Sequence, residues 1–235
     1  MAIADLRRDY RAGSLRRAEL LPDPLKQFNV WFGQALSNRT PGNFLRRFGV
    51  ATYKWFQTIF SKTTTEANAM TLATTDKQGR PSARTVLLKG VDERGFVFFS
   101  HYEGPKGHDL AENPQAALVF YWPELERQVC IGGTVSRLPS TESEQYFHSR
   151  PRGSQLAACA CKQSIPVPSR QFLEAKLREA TAAHSGPVPM PGYWGGYVLA
   201  PTRIEFWQGR PNRLHDRFYY TKQPDGSWLI ERLSP

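Results

Sequence analysis

The chain has 235 residues, with 31 lysines and arginines against 21 aspartates and glutamates, which gives a formal net charge of +10 at pH 7. A hydrophobic content of 40% and a charged content of 22% exclude a disordered chain and a membrane protein, and the length allows one large or two small domains. The basic balance indicates an anionic partner, which is nucleic acid, a membrane surface or small phosphorylated molecules.

No segment reaches the apolar length of a transmembrane helix, and the start MAIADLRRDYRAG carries charges where a secretory signal needs an apolar stretch. We therefore expect a cytoplasmic protein. The three cysteines, Cys130, Cys159 and Cys161, do not indicate a disulfide framework. A lone C-x-C pair is also a poor zinc site, so we expect no metal.

The first 62 residues are predicted to be helical. Asp23-Pro24 is a typical helix start, and apolar residues recur with helical spacing from Leu25 to Leu36. A second apolar stripe over 44–59 predicts another helix. We interpret it as packing on its own domain, with a membrane-surface helix as the alternative.

From Ala69 the pattern changes to short strands separated by turns, which is typical of a barrel or sandwich. Three hairpins are predicted, and three helices interrupt them: one from Lys106 to Asn113, one from Thr141 to near Arg150, and one over 169–184. GYVLA (196–200), RIEFWQ (203–208), a strand around 213–221 and SWLIERL (227–233) complete the sheet. The sum predicts a mainly β domain with added helices, an α+β-type barrel.

Several catalytic motifs are absent from the sequence. It contains no P-loop, no H-E-x-x-H, no G-x-S-x-G and no G-x-G-x-x-G between a strand and a helix. The five histidines do not form a metal-ligand spacing with cysteines or carboxylates. A metal site or a serine-type nucleophile is therefore not expected.

The segment RLHDR contains the densest group of candidate site residues. Strand alternation would place Arg213, His215 and Arg217 on one face, over about 13 Å at 3.3 Å per residue. Three such groups repel each other unless an anion lies between them, and Trp207 offers a flat apolar face nearby. A solvated edge strand with unrelated charges is the alternative.

A second candidate group surrounds the predicted end of a helix. Tyr146 and Arg150 are four residues apart and share a helix face, while Pro151 ends the helix and leaves Ser154 in the following loop. A phenol, a guanidinium and a hydroxyl together suit a phosphate monoester. The helix dipole alone also favours an arginine at this place.

Further cationic anchors stand apart from these groups. Alternation puts Arg84 and Lys89 on opposite strand faces, which requires a bulge or two distinct anions, and Lys106 opens a helix with free backbone N–H groups. Interleaved aromatic residues would also suit a single-strand nucleic-acid binder. The anchors are isolated, however, and lie beside polar residues such as Gln128 and Gln163, which favours small phosphorylated ligands.

Seven segments, in the same order along the chain, resemble the pyridoxamine 5′-phosphate oxidase family. They are RTVLLK (84–89), LERQV (125–129), YFHSRPRGSQ (146–155), KQS (162–164), YWGGYV (193–198), IEFWQG (204–209) and RLHDRF (213–218). The resemblance implies an FMN-binding split β-barrel and a homodimer with FMN at the subunit interface. The implied reaction is the oxidation of pyridoxamine and pyridoxine 5′-phosphates by O₂ to pyridoxal 5′-phosphate, releasing H₂O₂ and, from the amine, NH₃.

The same resemblance implies roles for individual residues. Arg213 and His215 would be catalytic and flank the substrate ring. The implied FMN-binding residues are Arg84, Thr85, Val86, Leu87, Leu88, Lys89, Phe99, Ser100, Lys106, Gln128, Gln163, Ser164, Trp207 and Arg217. The implied substrate-binding residues are Arg7, Arg8 and Tyr10 in a flap, together with Lys89, Tyr146, Arg150, Ser154, Arg213, Leu214 and His215.

Two features depart from the family pattern. Pro105 stands where the family usually has an arginine, which removes one expected contact to the flavin phosphate, and residues 40–62 resemble an insertion. We therefore expect an N-terminal segment over 1–62 that contains the flap and this insertion, followed by the barrel domain over 63–235 with C-terminal dimerisation strands. A non-catalytic carrier of FMN or pyridoxal phosphate on the same barrel is the alternative; neither nucleic acid nor a membrane is an expected partner.

Overall fold

A computed structural model describes residues 3–6, 9–37 and 66–235 of the chain. The second predicted helix, over 44–59, and the whole apparent insertion over 40–62 lie outside the described residues, and so do Arg7 and Arg8. None of the described helices is both long and apolar enough to cross a membrane.

The described residues form five α-helices and nine β-strands. The helices are α1 (Pro24–Ser37), α2 (Pro105–Glu112), α3 (Ser140–Ser149), α4 (Arg152–Ala160) and α5 (Arg170–Ala183). The strands are β1 (Ala69–Thr75), β2 (Pro81–Leu87), β3 (Gly90–Asp92), β4 (Gly95–His101), β5 (Gln115–Trp122), β6 (Arg127–Arg137), β7 (Trp194–Gln208), β8 (Asp216–Lys222) and β9 (Trp228–Leu233). The predicted mainly β architecture is confirmed.

All nine strands belong to one antiparallel sheet in the order β2-β1-β5-β6-β7-β4-β3, and β8 and β9 extend it from β7. Strand β7 is the common element. It pairs with β6 along almost its whole length, with β4 through residues 194–199 and with β8 through residues 203–208. The first half of β7 therefore pairs with β4, and the second half pairs with β8.

A bulge divides β7 into these halves. Gly132 of β6 pairs with Arg203, but the next residue, Gly133, pairs with Pro201, so Thr202 has no partner in the register. Proline lacks a backbone donor and is tolerated at such irregularities. Sequence analysis predicted two strands, 196–200 and 203–208, where the structure has one continuous 15-residue strand, because Pro201 breaks the pattern but not the pairing.

Helix α1 packs against the largest hydrophobic core. The ring of Phe28 is fully buried, with its centroid 4.9 Å from those of both Phe96 and Phe120, and Trp31 lies edge-on to Phe206 at 5.1 Å. Several of the aromatic residues that the sequence interleaves with the cationic anchors are buried in this core, including Phe98, Phe120, Trp122 and Phe218.

A second buried cluster fixes α3 and α4 to the start of β7. It consists of Phe147, Leu156, Ala158, Val188 and Trp194. Helix α4 itself was not predicted. Pro151 ends α3, as expected, but it also caps a new helix beginning at Arg152, so Ser154 lies in the first turn of α4 and not in a loop. A proline is well suited to precede or open a helix because it lacks the donor that a first turn leaves unpaired.

Two strand boundaries also differ from the prediction. Arg84 and Lys89, which alternation placed on opposite faces of one strand, do not share a strand, since β2 ends at Leu87 and β3 begins at Gly90. The strand predicted around 213–221 begins only at Asp216, because a 3₁₀ turn occupies Pro211–Arg213 and both Asn212 and Arg213 have a positive φ. Sequence periodicity does not report such turns.

We expect the contact between α1 and the sheet to contribute strongly to stability. The change Phe28→Ala should lower the free energy of unfolding by about 3–5 kcal/mol, because it leaves a cavity among buried rings. Val30→Ala on the exposed side of the same helix should change it by less than about 0.5 kcal/mol. Urea unfolding of both variants, followed by far-ultraviolet circular dichroism, compares them; equal midpoints would contradict this role of α1.

Candidate functional site

The first group of predicted site residues is a pair of cations, Arg84 and Lys106. Arg84 lies in β2 and Lys106 in the first turn of α2, and the side chain of Lys106 is almost fully buried. Burial lowers the pKa of Lys106, and the positive charge of Arg84 lowers it further. Two cations this close, one of them buried, favour an anion between them.

Polar groups hold this pair in place. The guanidinium of Arg84 donates to Thr74 Oγ1 at 2.7 Å and to Ser82 Oγ at 2.6 Å, and lies 3.8 Å from Asp109 Oδ2. Lys106 Nζ donates to Gln163 Oε1 at 2.5 Å. The structure thus joins Gln163 to the pair, as expected of one anion-binding group.

The second group surrounds Arg150 at the end of α3. Tyr146 stacks on Phe99 with a centroid separation of 3.8 Å, and the guanidinium of Arg150 lies 4.7 Å from the ring centre of Trp194. Arg150 Nη2 donates to the backbone oxygen of Ser154 at 2.9 Å. Its Nη1 is buried and has no hydrogen-bond partner among the described residues. A buried unpaired guanidinium nitrogen is costly, and an anionic ligand would satisfy it.

Sequence analysis missed two residues of this region, His101 and Trp194. His101 is buried and pairs in register with Trp194. Burial lowers the pKa of His101, and the charges of Lys106 and Arg150 lower it as well, so it lies within electrostatic reach of both cationic groups. Trp194 belonged to a matching segment, but no periodicity distinguished it from a core residue.

The third group contains Tyr10, Trp207 and His215. Tyr10 lies edge-on to both of the other rings, at 5.5 Å from each, and the ring centroids of Trp207 and His215 are 4.7 Å apart. The N-terminal segment therefore reaches the turn before β8, as the flap prediction requires for Tyr10. An open pocket of about 380 Å³ lies beside His215 and is lined also by Leu214, Arg232 and the last residues of the chain.

The backbone around His215 determines which ring nitrogen is available. The backbone N–H of Arg210 donates to His215 Nδ1 at 3.1 Å, so in the neutral ring the proton is on Nε2. Partial burial lowers the pKa of His215, and the charges of Arg213 and Arg217 lower it further. His215 therefore presents a neutral Nε2–H donor near pH 7.

Arg213 and Leu214 lie in the turn and not in the strand. Both are exposed, and the backbone of Arg213 has φ 62°. The prediction that Arg213, His215 and Arg217 share one strand face is therefore wrong, because Arg213 and His215 both precede β8 and only Arg217 of the three lies in it. Positive φ values also occur at Glu126, Ser164 and Asn212, and such strained residues often gather at functional sites.

Gln128, Trp207 and Arg217 form a row across β6, β7 and β8. Gln128 pairs with Trp207, and Trp207 pairs with Arg217, so the three side chains share one face of the sheet. Arg217 makes a bidentate ion pair with Glu205, with N···O distances of 2.7 and 3.1 Å, which raises the pKa of Arg217. The ion pair therefore fixes the orientation of the Arg217 guanidinium before any ligand binds.

The remaining predicted residues occupy the β2 region and β4. Thr85, Val86 and Leu87 belong to β2, which pairs only with β1, while Leu88 is buried just beyond it. Lys89 is exposed between β2 and β3, and its ammonium group makes no hydrogen bond or ion pair with the described part of the chain. Ser100 is buried in β4, and Ser164 is exposed in the loop before α5.

These groups lie at opposite ends of β7. Trp194 begins the strand beside Arg150, and Trp207 lies near its end beside His215. Thirteen residues at about 3.3 Å each separate them by roughly 40 Å along the strand. One small ligand therefore cannot contact Arg150 and His215 of the same chain.

Two family models match the chain. A model described as pyridoxamine 5′-phosphate oxidase matches residues 60–184, and one described as the pyridoxine 5′-phosphate oxidase C-terminal dimerisation region matches residues 194–235. The chain thus carries the dimerisation region of the family, and β7, β8 and β9 lie within it.

Curated relatives match the chain from end to end. A pyridoxine/pyridoxamine 5′-phosphate oxidase of Paraburkholderia phymatum is 50% identical over 233 residues, which cover 99% of each chain. Pyridoxine/pyridoxamine 5′-phosphate oxidase 1 of Ralstonia nicotianae is 50% identical over 234 residues, covering 100% of this chain and 99% of the relative.

Solved structures confirm the predicted split-barrel fold. PhzG from Burkholderia lata 383, in complex with tetrahydrophenazine-1-carboxylic acid, is 26% identical with a TM-score of 0.79, covering 94% of this chain and 98% of its own. A pyridoxamine 5′-phosphate oxidase-related, FMN-binding protein of Nostoc punctiforme PCC 73102 shares the fold at 16% identity, with a TM-score of 0.62 over 79% of this chain and 98% of its own. The chain is an enzyme that belongs to the pyridoxamine 5′-phosphate oxidase family.

Proposed function

We propose that the protein oxidises pyridoxamine and pyridoxine 5′-phosphates with bound FMN and O₂, forming pyridoxal 5′-phosphate and H₂O₂, and also NH₃ from the amine. The observation that carries this proposal is the division of the site between the two ends of β7. At one end Arg150 has a buried, unpaired guanidinium nitrogen suited to a phosphate, and at the other end Trp207 and His215 offer ring contacts and a hydrogen-bond donor suited to a ring. The proposed phosphate-binding and ring-binding groups therefore lie apart on one chain.

A homodimer brings the two ends together. If two chains associate so that the Arg150 end of one meets the His215 end of the other, each dimer has two complete sites. The match of β7, β8 and β9 to a dimerisation region supports this arrangement. We therefore propose that FMN and substrate bind at the interface, between groups from both subunits.

The cation pair fits the phosphate of FMN. Arg84 and Lys106 supply two positive charges at the start of α2, where the backbone N–H groups of Gly107 and His108 already donate to the oxygen of Gly104. Pro105, the first residue of α2, removes one side-chain contact and one backbone donor, but it leaves this pair intact. Gln163 extends the anchor, and Gln128, Trp207 and Arg217 offer a polar and aromatic row for the flavin from the other chain. Bound FMN would accept a hydride from the substrate and pass the electrons to O₂.

Arg150 fits the phosphate of the substrate. Its unpaired Nη1 points to a missing anionic partner, and Tyr146 on the same face of α3 adds a hydroxyl donor. Because the guanidinium is held by Trp194 and the Ser154 backbone, little conformational entropy is lost when the phosphate binds. Binding energy at the phosphate orients the reacting carbon at the other end of the molecule.

His215 and Arg213 act on the ring end of the substrate. His215 Nε2–H donates a hydrogen bond to the oxygen or nitrogen atom bonded to the reacting carbon, which orients that carbon. Arg213, exposed in its turn, stabilises negative charge that develops on the ring. Tyr10 lies edge-on to the ring of His215 and helps to exclude water from it.

Purification and one assay distinguish the proposal from a carrier. We expect a yellow protein that absorbs near the flavin wavelengths and releases one H₂O₂ for each pyridoxamine 5′-phosphate oxidised, measured with a peroxidase-coupled dye. A yellow protein without turnover would instead be a carrier, and a colourless protein that cannot be reconstituted with FMN would contradict both.

The contribution of the Arg150 side chain to phosphate binding can be measured separately from any effect on the stability of the neighbouring helices. Arg150→Met should raise KM for pyridoxamine 5′-phosphate by about tenfold to a hundredfold, the cost of losing hydrogen bonds between charged groups. The rate with unphosphorylated pyridoxamine should hardly change. Arg152→Met is the matched control, because within the described part of the chain the Arg152 side chain donates only to the backbone oxygens of His184 and Gly186. An unchanged KM in the Arg150 variant would refute the anchor.

A measurement of the pKa of His215 tests whether the positive charge of Arg213 acts on this ring. Since Arg213 is one of the charges that lower this pKa, Arg213→Gln should raise it towards 6.5, while the proton of the neutral ring stays on Nε2. Long-range ¹H–¹⁵N NMR titration reports both, with His215→Asn to assign the signal. Arg170→Gln, an exposed arginine of α5, serves as the control. A fall of the pKa in the Arg213 variant would disagree with this account.

A further inference from the structure

The N-terminal arm, defined here as residues 10–16, is held by side chains that flank His215. Its backbone follows the start of β8 without joining the sheet. Tyr10 at its beginning contacts the rings of His215 and Trp207, and Leu15 near its end is buried in the core. Between these two points the backbone polar groups need partners.

Asp216 and Arg210 supply those partners from either side of His215. Asp216 Oδ2 accepts the backbone N–H of Leu15 at 3.1 Å, and Arg210 Nη1 donates to the backbone oxygen of Gly13 at 2.9 Å. Arg210 Nε also lies 3.5 Å from Asp216 Oδ2, so the two side chains are joined to each other. The backbone N–H of the same Arg210 fixes His215 Nδ1.

Two further contacts complete the anchor. Arg232 Nη1 donates to Asp216 Oδ1 at 2.7 Å, which orients the carboxylate. The buried carboxylate of Glu126 accepts the backbone N–H of Ala12 at 2.7 Å. Arginine and backbone donors together lower the pKa of Asp216 despite its partial burial, so the anchor is charged at neutral pH.

We propose that Asp216 is a positioning residue that fixes the N-terminal arm to the turn of His215 and thereby holds Tyr10 against the imidazole. Asp216 does not itself face the substrate, because its carboxylate is occupied by Leu15, Arg232 and Arg210. It sets the distance between the arm and the ring. The inference rests on the proposed function, since Tyr10 and His215 form the ring end of that site.

The arm and the turn are far apart in sequence, so the link must be made by tertiary contacts. Leu15 and Asp216 are 201 positions apart, and Gly13 and Arg210 are 197 apart. Burial of Leu15 keeps the end of the arm in place without Asp216, but it does not determine where Tyr10 lies. Loss of Asp216 should therefore displace the arm locally and leave the fold intact.

Hydrogen exchange measures this displacement without turnover. In the dimeric holoprotein, Asp216→Ala should accelerate exchange at Ala12 as well as at Leu15, although Ala12 is bonded to Glu126 and not to Asp216. Asp225→Ala is the matched control, because Asp225 lies in the β8–β9 turn and its carboxylate accepts hydrogen bonds from Ser227 of that turn, away from the N-terminal arm. Exchange in residues 10–16 of the control should equal that of the wild type.

Steady-state kinetics measure the consequence for the site. Asp216→Ala should raise KM for pyridoxamine 5′-phosphate about tenfold, as expected for one lost hydrogen bond to a charged group, with kcat changed less than about twofold. In a Tyr10→Ala background the same change should have almost no further effect, because Asp216 acts through Tyr10. If Asp216→Ala fails to fold, Asp216→Asn should give the same pattern with a smaller rise.

The outcomes separate the two proposals. Unchanged exchange at Ala12 together with a wild-type KM overturns the positioning role, and so does an effect of Asp216→Ala that is fully additive with Tyr10→Ala. A wild-type protein that oxidises neither pyridoxamine 5′-phosphate nor pyridoxine 5′-phosphate overturns the proposed function instead. The peroxide assay of the wild type gives this result before any variant is made.

Discussion

The rest of the structure depends on the pairing of β7. A 15-residue strand that bonds β6 along one edge, and β4 and then β8 along the other, ties the barrel to the C-terminal hairpin. The bulge at Thr202 makes this possible, because it lets the strand change its partner without leaving backbone groups unpaired over a long stretch. The groups around Arg150 and around His215 lie beside β7, whereas Arg84 lies in β2 at an edge of the sheet.

The positions of the cations in the structure indicate which kind of anion the net positive charge serves. The surplus of +10 indicated an anionic partner but not its kind, and the described cations near the site occur as separate, oriented anchors. Arg84 and Lys106 form one anchor, Arg150 another, and Arg217 is held by Glu205. Partly buried cations with fixed geometry suit small phosphates, whereas a nucleic-acid track needs a continuous exposed surface.

Arg213 and His215 show which features of the site could be predicted from the sequence and which could not. The segment RLHDRF identified them as site residues, but alternation placed Arg213 on the wrong element, because two successive residues with positive φ form a turn that no periodicity reveals. The contacts of Tyr10, Asp216 and Glu126 could not be predicted from the sequence either. Each joins residues about 100 to 200 positions apart, and hydrogen bonds between such residues leave no local pattern.

The sequence by itself determined the class of fold, the family and the residue types at the site, since strand periodicity, turn residues and seven ordered segments are local properties of the chain. Only the tertiary structure decided that β7 is continuous, that Ser154 lies in the first turn of a helix, and that Arg150 and His215 lie at opposite ends of one strand. Those features depend on which strands pair and which backbone groups find partners across the fold. That choice is made by the whole chain, because each pairing must also satisfy the burial and hydrogen bonds of its neighbours.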